Sequence, residues 1–476
     1  MKKNLLSLAV AASAAGMTGI ATAQMYINTE NTGEALVFPL YSTQGGNDTY
    51  IHIVNTTAQY KAVKVRMREG KESLEALGFN LYMSPQDHFS FAITADGDGA
   101  LLRTSDTSCT VPAISGDVPF TDLLWADTVG TEESREQMGY VEVIEMGQID
   151  EGSDTAADIL HTDGTPGDCA ALVTNWSVVE GAEGAWYGEA SAGSDDAGVG
   201  TTDFNATWSG GGLYGVATVI NVAEGTSFGY DAVAIDDLVE AGSSGSVFHY
   251  PPGGTGPNFD DPAVATTANV NVDGVQTTYT RGVTNPADTV SALFMTASIS
   301  NDYVIDAGLN SLTDWVVTMP TKSNHFNGVK FDAPFSNTLT DAVTGKAEPL
   351  KLCQPVSMVA YDREEDLQDA PDPASMTLCA GTNIIHFGAA SATNSSSNLT
   401  SAQVFVDGWA AGWAVLDLTN EREMPGTVAG SNSNLKGLPV TGFAVTEYEN
   451  GVLGSALANY QMGWEHKTSV STSSAN

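Results

Sequence analysis

Apolar residues recur at every second position along segment after segment of this chain, a period that confines it to extended strands. In Lys61–Glu69, Val63, Val65 and Met67 alternate with Lys64, Arg66 and Arg68, which assigns the apolar set to one face and the basic set to the other. Phe89, Phe91 and Ile93 alternate with Ser90, Ala92 and Thr94, then run into the turn-forming Asp96-Gly97-Asp98-Gly99 before Ala100-Leu101-Leu102 resumes. Further strands are predicted at Tyr140–Met146, Leu213–Val222, Trp315–Met319, Ile384–Phe387, Trp413–Leu418 and Phe443–Tyr448. Asn450-Gly451 reads as a hairpin turn, because both residues tolerate positive φ. Helical periodicity is confined to Tyr230–Glu240 and Ser73–Leu77. With 49 glycines and many Thr, Ser, Asn and Asp between the apolar runs, the expected class is all-β. The economical architecture is two β-sandwich (Ig-like) domains with long acidic loops.

The first residues address the compartment. Lys2 and Lys3 precede an apolar, small-residue stretch from Leu5 to Ile20, and Ala21-Thr22-Ala23 fits the small-x-small pattern cleaved by signal peptidase. Residues 1–23 are therefore read as a signal peptide, and the chain is expected to be exported to the cell surface or the extracellular space. The apolar stretch is too short and alanine-rich for a membrane span, and no later segment approaches spanning length. A Gly/Ser/Asp-rich linker or loop over 191–212 would separate an N-terminal domain, 24–190, from a C-terminal domain, 213–476. A second break, Tyr250–Asp261, is rich in Pro and Gly. No repeat of fixed period is present, which disfavours solenoids and propellers.

Charge narrows the function classes. The formal net charge is −40, from 18 basic against 58 acidic residues, and it becomes two units more negative once Lys2 and Lys3 are removed. Such a chain repels nucleic acid and anionic lipid directly. It needs counterions, either as simple solvation in a saline habitat or as divalent cations bridging it to its neighbours. Candidate calcium positions are Asp96/Asp98, Asp195/Asp196, Asp260/Asp261 and the run Asp362, Glu364, Glu365, Asp366, each in or beside a loop where oxygens can converge. A solvated acidic loop is the competing reading of each. Asn269, Asn271, Asp273 and Gly274 imitate the start of an EF-hand loop, but Thr280 stands where a bidentate Glu is required.

Four cysteines, Cys109, Cys169, Cys353 and Cys379, contain no C-x-x-C pair. In an exported chain they suggest two disulfides, with three connectivities open. The sequential pairing Cys109–Cys169 and Cys353–Cys379 is favoured, because each bridge then closes a loop within one half of the chain. Loop entropy would give each roughly 3–4 kcal/mol.

Enzymatic signatures are thin. Gly225-Thr226-Ser227-Phe228-Gly229 matches the nucleophile-elbow pattern G-x-S-x-G, following an apolar strand and preceding the helical pattern at Tyr230–Leu238. That motif belongs to parallel α/β sheets, whose helices this sequence lacks. His325, His386 and His466 lie downstream without a triad context, and no paired-His metal spacing occurs. Gly345-Lys346 lacks the remainder of a phosphate loop. Trp315, Trp413 and Trp464 suit either a carbohydrate platform or a sandwich core.

Several stretches carry a family likeness. Ala35–Tyr41, Lys61–Arg66, Glu69-Gly70, Leu81–Pro85, Ala95–Ala100, Ser108–Pro112 and Asp314–Lys322 resemble a family of exported proteins of marine gammaproteobacteria. Its members include surface-layer (S-layer) proteins that build a two-dimensional lattice over the outer membrane. The blocks hold no catalytic motif, so the resemblance implies a structural role and transfers no site residues. The leading expectation is a non-enzymatic surface-layer protein that assembles with itself. Divalent cations, Ca2+ foremost, would bridge its copies and link it non-covalently to lipopolysaccharide. A secreted biofilm-matrix adhesin or calcium-dependent glycan-binding module is the alternative, and an esterase using Ser227 the third.

Overall fold

The computed structural model describes residues 24–121, 133–177, 179, 184–186, 203–205, 210–239, 249–254, 256–282, 285–326, 330–336, 353–370, 376–388, 390–395, 400–404, 408–420, 422–428, 433–454 and 456–473. The signal-peptide segment and most of the expected 191–212 linker lie outside these residues. Strands dominate the described residues, and each predicted strand segment coincides with one of them to within one residue at its end.

Two sheets form the first unit. One runs in the order 26–27, 233–236, 35–42, 138–149, 60–69, 75–83, 109–111; the other runs 226–231, 213–221, 47–55, 88–96, 99–104, 116–119. Leu36, Phe38, Val63, Val65, Phe79 and Val143 of the first sheet share one core with Ile51, Ile53, Phe89, Phe91 and Leu102 of the second. This is the inward half of the alternation read from Lys61–Glu69, so the period of two is realised as a buried face.

The chain after the expected linker returns to this unit. Leu213–Asn221 pairs along its length with Asn47–Asn55, and Val233–Ile235 pairs with Ala35–Val37. Strands 213–221 and 233–236 thus belong to the sheets of this first unit. The reason is non-local: these strands fill positions that no nearer segment occupies.

A second pair of sheets follows. One has the order 367–370, 357–362, 411–417, 298–304, 467–469 and the other 400–404, 382–387, 311–318, 441–453, 456–465. Trp315, Val317, Ile385 and Phe387 meet Ile299, Met358, Ala414 and Leu416 in its core. Between the units, Leu40, Met138, Val219 and Phe228 pack on Val316, Ile384, Phe443 and Val445. A small sheet of 267–272, 275–281 and 426–428, together with the helix Ala287–Phe294, covers the outer side of Ala35 and Val37. Thr318 Oγ1 donates to the Pro39 carbonyl at 2.6 Å, tying the two central strands together.

Three local expectations fail. The described part of Tyr230–Glu240 forms no helix: Thr226–Asp231 and Val233–Asp236 are strands. Ser73 sits at φ 66 in a turn, and Glu75–Met83 is a strand. In both places pairing in a sheet overrides a short helical pattern. The final hairpin exists, but Leu453 pairs with Ala456, so the chain reverses after the predicted dipeptide, and a register shift falls between Glu449 and Val452. Asn450-Gly451 makes that bulge, with Gly451 at φ 73.

Candidate functional site

The acidic candidates do not gather. Asp96 and Asp98 are exposed at the tip of the hairpin joining 88–96 to 99–104. Asp261 is buried, and its carboxylate accepts from Tyr250 Oη at 2.5 Å and from the Ala263 amide at 3.1 Å. Asp260 beside it is half-buried, with its carboxyl raised chiefly by burial. Asp362 Oδ1 accepts from the amides of Glu364 (2.8 Å) and Asp366 (2.9 Å), which makes the acidic run a capped turn with Glu364, Glu365 and Asp366 exposed. Asp195 and Asp196 lie outside the described residues. Among the described residues, no three His, Cys, Asp or Glu side chains converge on a point that would hold a metal. The segment resembling an EF-hand is a two-residue hairpin, Asp273-Gly274, with positive φ at both positions.

Both favoured disulfides are present: Cys109–Cys169 and Cys353–Cys379, spanning 60 and 26 residues. The first joins strand Cys109–Val111 to the helix Cys169–Asn175, in the layer where Tyr82, Trp176, Trp186 and His249 pack together.

Ser227 is an exposed residue of an extended strand, opposite Ile220. The strand-to-helix corner that lifts an elbow serine above its sheet is absent there. A serine–histidine contact that sequence reading missed lies elsewhere. Ser291 Oγ is 2.8 Å from His325 Nε2, and Asp288 Oδ1 is 3.9 Å from His325 Nδ1. Asp288 and Ser291 stand one turn apart on helix Ala287–Phe294, a spacing that marks one helical face. All three side chains are buried, and Ser291 also donates to Thr321 Oγ1 at 2.7 Å. Burial pushes the His325 ring down to about 4 and the Asp288 carboxyl up to about 7. The three side chains and Thr321 form one buried polar network between helix Ala287–Phe294 and residues 321–325. His386 is similarly engaged, its Nδ1 2.8 Å from buried Asp314, whose other oxygen accepts from Ser391 and Thr393.

The largest departure from the sequence reading is the basic face of strand Tyr60–Glu69, which is buried. The Pro/Gly-rich segment 249–258 lies over it. Lys64 Nζ donates to Asn80 Oδ1 (3.1 Å) and the Pro251 carbonyl (3.2 Å). Arg66 donates to the carbonyls of Gly254, Gly256 and Pro257 and reaches Glu75 at 2.8 Å. Arg68 pairs with Glu142 at 2.5 Å. Arg135 reaches Glu69 at 3.1 Å with both side chains sealed from water. Burial lowers the Lys64 ammonium to about 7, with Arg66 adding to the effect. Lys322 and Arg422 are buried as well. Buried cations are thus met by buried acids, among them Glu69, Glu142 and Glu145, and the interior holds charge of both signs.

What the surface offers instead is apolar. Trp315 fills the core, but Trp413 and Trp464 are exposed. Trp413 stacks on Tyr361 with centroids 4.5 Å apart and planes at 11°. Trp464 borders a cleft of about 480 Å³ whose lining includes Gly229, Tyr230, Gly442, Phe443 and Gly463. Among the described residues no helix is long and apolar enough to cross a membrane. Compared with known families, with curated proteins and with solved structures, the chain matches none of them.

Proposed function

We propose that this chain is a structural protein of the cell exterior, exported by residues 1–23, whose copies assemble into a two-dimensional surface layer. Its scaffold would be two β-sandwiches of the broad Ig-like kind with acidic loops facing solvent. The observation that carries the reading is an acidic surface without a closed metal site among the described residues: the chain has a net charge of −40, and Asp96, Asp98, Glu364, Glu365 and Asp366 face water without converging on one point. Two such surfaces repel at contact distance, and screening weakens only charges further apart than about 8–10 Å at ordinary salt. Carboxylates that do not converge within one copy are suited to sharing a hard cation between copies, or between the protein and lipopolysaccharide, and calcium matches their oxygen donors. The likeness of the sequence blocks to surface-layer proteins supports the same reading.

The test is removal of calcium at constant ionic strength. Ordered sheets of the purified protein, seen by electron microscopy, should disperse with chelator and return with calcium, while sodium at matched ionic strength should rescue poorly. Sheets unchanged by chelator would remove calcium from the account. A glycan-binding adhesin is the second reading, favoured by exposed Trp413. Loss of glycan binding by a monomeric Trp413→Ala variant would favour it.

A further inference from the structure

Val452, Leu457, Tyr460, Met462 and Trp464 are exposed large apolar side chains on a single hairpin, strands Thr441–Leu453 and Ala456–Glu465. Tyr460 is 59% and Trp464 49% exposed. Ala456–Glu465 is the outermost strand of its sheet: it pairs with 441–453, and no described strand pairs with its other edge. Tyr460, Met462 and Trp464 stand opposite Tyr448, Thr446 and Ala444. They therefore share the face that carries core residue Ala444, yet all three are exposed. The other face of the strand is occupied: Asn459 Nδ2 donates to the Glu224 carbonyl at 2.7 Å, and Gln461 donates to Ala392.

Long edge strands usually carry a charge or a proline that prevents pairing with another chain. This one has neither before Glu465, and from Asn450 to Trp464 there is no charged side chain at all, in a chain of net charge −40. We infer that the open edge of Ala456–Glu465 is a homotypic assembly contact, pairing antiparallel with the same strand of a second copy. The inference rests on the self-assembly reading and gives it an interface. A second copy is the occupant because an acidic partner can approach this molecule only where the carboxylates stop. Twofold pairing about Tyr460 sets Ala456 opposite Trp464 and Ala458 opposite Met462, so every facing pair from Ala456 to Trp464 is neutral. Such a contact is isologous, and it merges the Tyr460, Met462 and Trp464 strips of the two copies into one apolar band.

The experiment compares wild type with Met462→Lys/Trp464→Lys by analytical ultracentrifugation and electron microscopy, in calcium. The double variant should weaken the dimer by at least about tenfold, because it removes the apolar band and sets ammonium groups against Ala458 and Ala456 of the other copy. Near-UV circular dichroism checks its fold, since both positions are solvent-exposed. Tyr460→Cys supplies an independent arm: all four native cysteines are bridged, so the new thiol should oxidise to a disulfide-linked dimer on assembly. Wild-type dimers without arrays would support the edge and overturn the lattice. Arrays unaffected by the double variant, with no cross-link formed by Tyr460→Cys, would overturn the edge and leave the lattice standing. Wild type that remains monomeric at high concentration would overturn both.

Discussion

Lys61 Nζ lies 2.6 Å from Glu145 Oε1, and solvent reaches neither side chain. The pair sits at the end of the first core, where the Gly211 amide donates to the other Glu145 oxygen at 3.0 Å. An ion pair so placed offsets the desolvation of its members only while both are present. Lys61→Met should therefore destabilise the protein by about 3–5 kcal/mol, leaving a buried carboxylate without its cation. Lys61→Met combined with Glu145→Met should recover most of that loss. Urea unfolding of the three proteins checks it, and a double variant no better than the single would contradict it.

Glu34 neighbours this pair and behaves in the opposite sense. Burial pushes its carboxyl from the usual 4.5 up to about 8; the Glu145 carboxylate adds to the rise, and the Val239 amide, donating at 3.0 Å, opposes it. Because the folded value is the higher one, its contribution to stability is fully present below about 4.5 and is lost as pH rises through about 8. Glu34→Gln keeps an acceptor for Val239 and cannot ionise. The variant should match wild type near pH 4 and exceed it at pH 9 by about 1–3 kcal/mol. Parallel stability–pH curves for the two proteins would refute the assignment.

The strands were legible because alternation is a local property. Val63, Val65 and Met67 announced a buried face, and the four cysteines their bridges, from spacing alone. The destination of Lys64, Arg66 and Arg68 was not legible. The alternation places three cations on one face but says nothing of what covers it, and residues 249–254 and 256–258, far along the chain, return to do so. Leu213–Asn221 joined the first unit for the same reason, since strand partners are chosen over distances that no local pattern records. The acidic pairs misled in the other direction. Asp362 looked like a ligand, yet its carboxylate satisfies two backbone amides of its own turn.

Ser227 provides a check on the non-enzymatic reading. Its side chain is exposed on an extended strand, opposite Ile220. Ser227→Ala should leave fold, assembly and any background ester hydrolysis unchanged, and a serine-directed fluorophosphonate should not label the wild type at this position. Mass-spectrometric recovery of a modified peptide containing Ser227 would bring the esterase reading forward.

Arg66 is the side chain on which the cover segment most depends. Its guanidinium spreads over the carbonyls of Gly254, Gly256 and Pro257 and the Asn258 side chain, while Nε faces Glu75. A lysine has the charge but not the planar fork, so it cannot serve carbonyls and carboxylate together. Arg66→Lys should destabilise by about 2–4 kcal/mol, because it leaves buried carbonyls unpaired. Hydrogen exchange should show the loss of protection first in residues 249–258. Glu75 reaches Arg66 by folding back over Gly78, where an added Cβ would lie 2.2 Å from Glu75 Oε1. Gly78→Ala should therefore displace that carboxylate and reproduce part of the Arg66→Lys loss, about 1–3 kcal/mol. The two effects should add to less than their sum in the double variant, since both act through one contact. Full additivity would place the role of Gly78 in strand pairing alone.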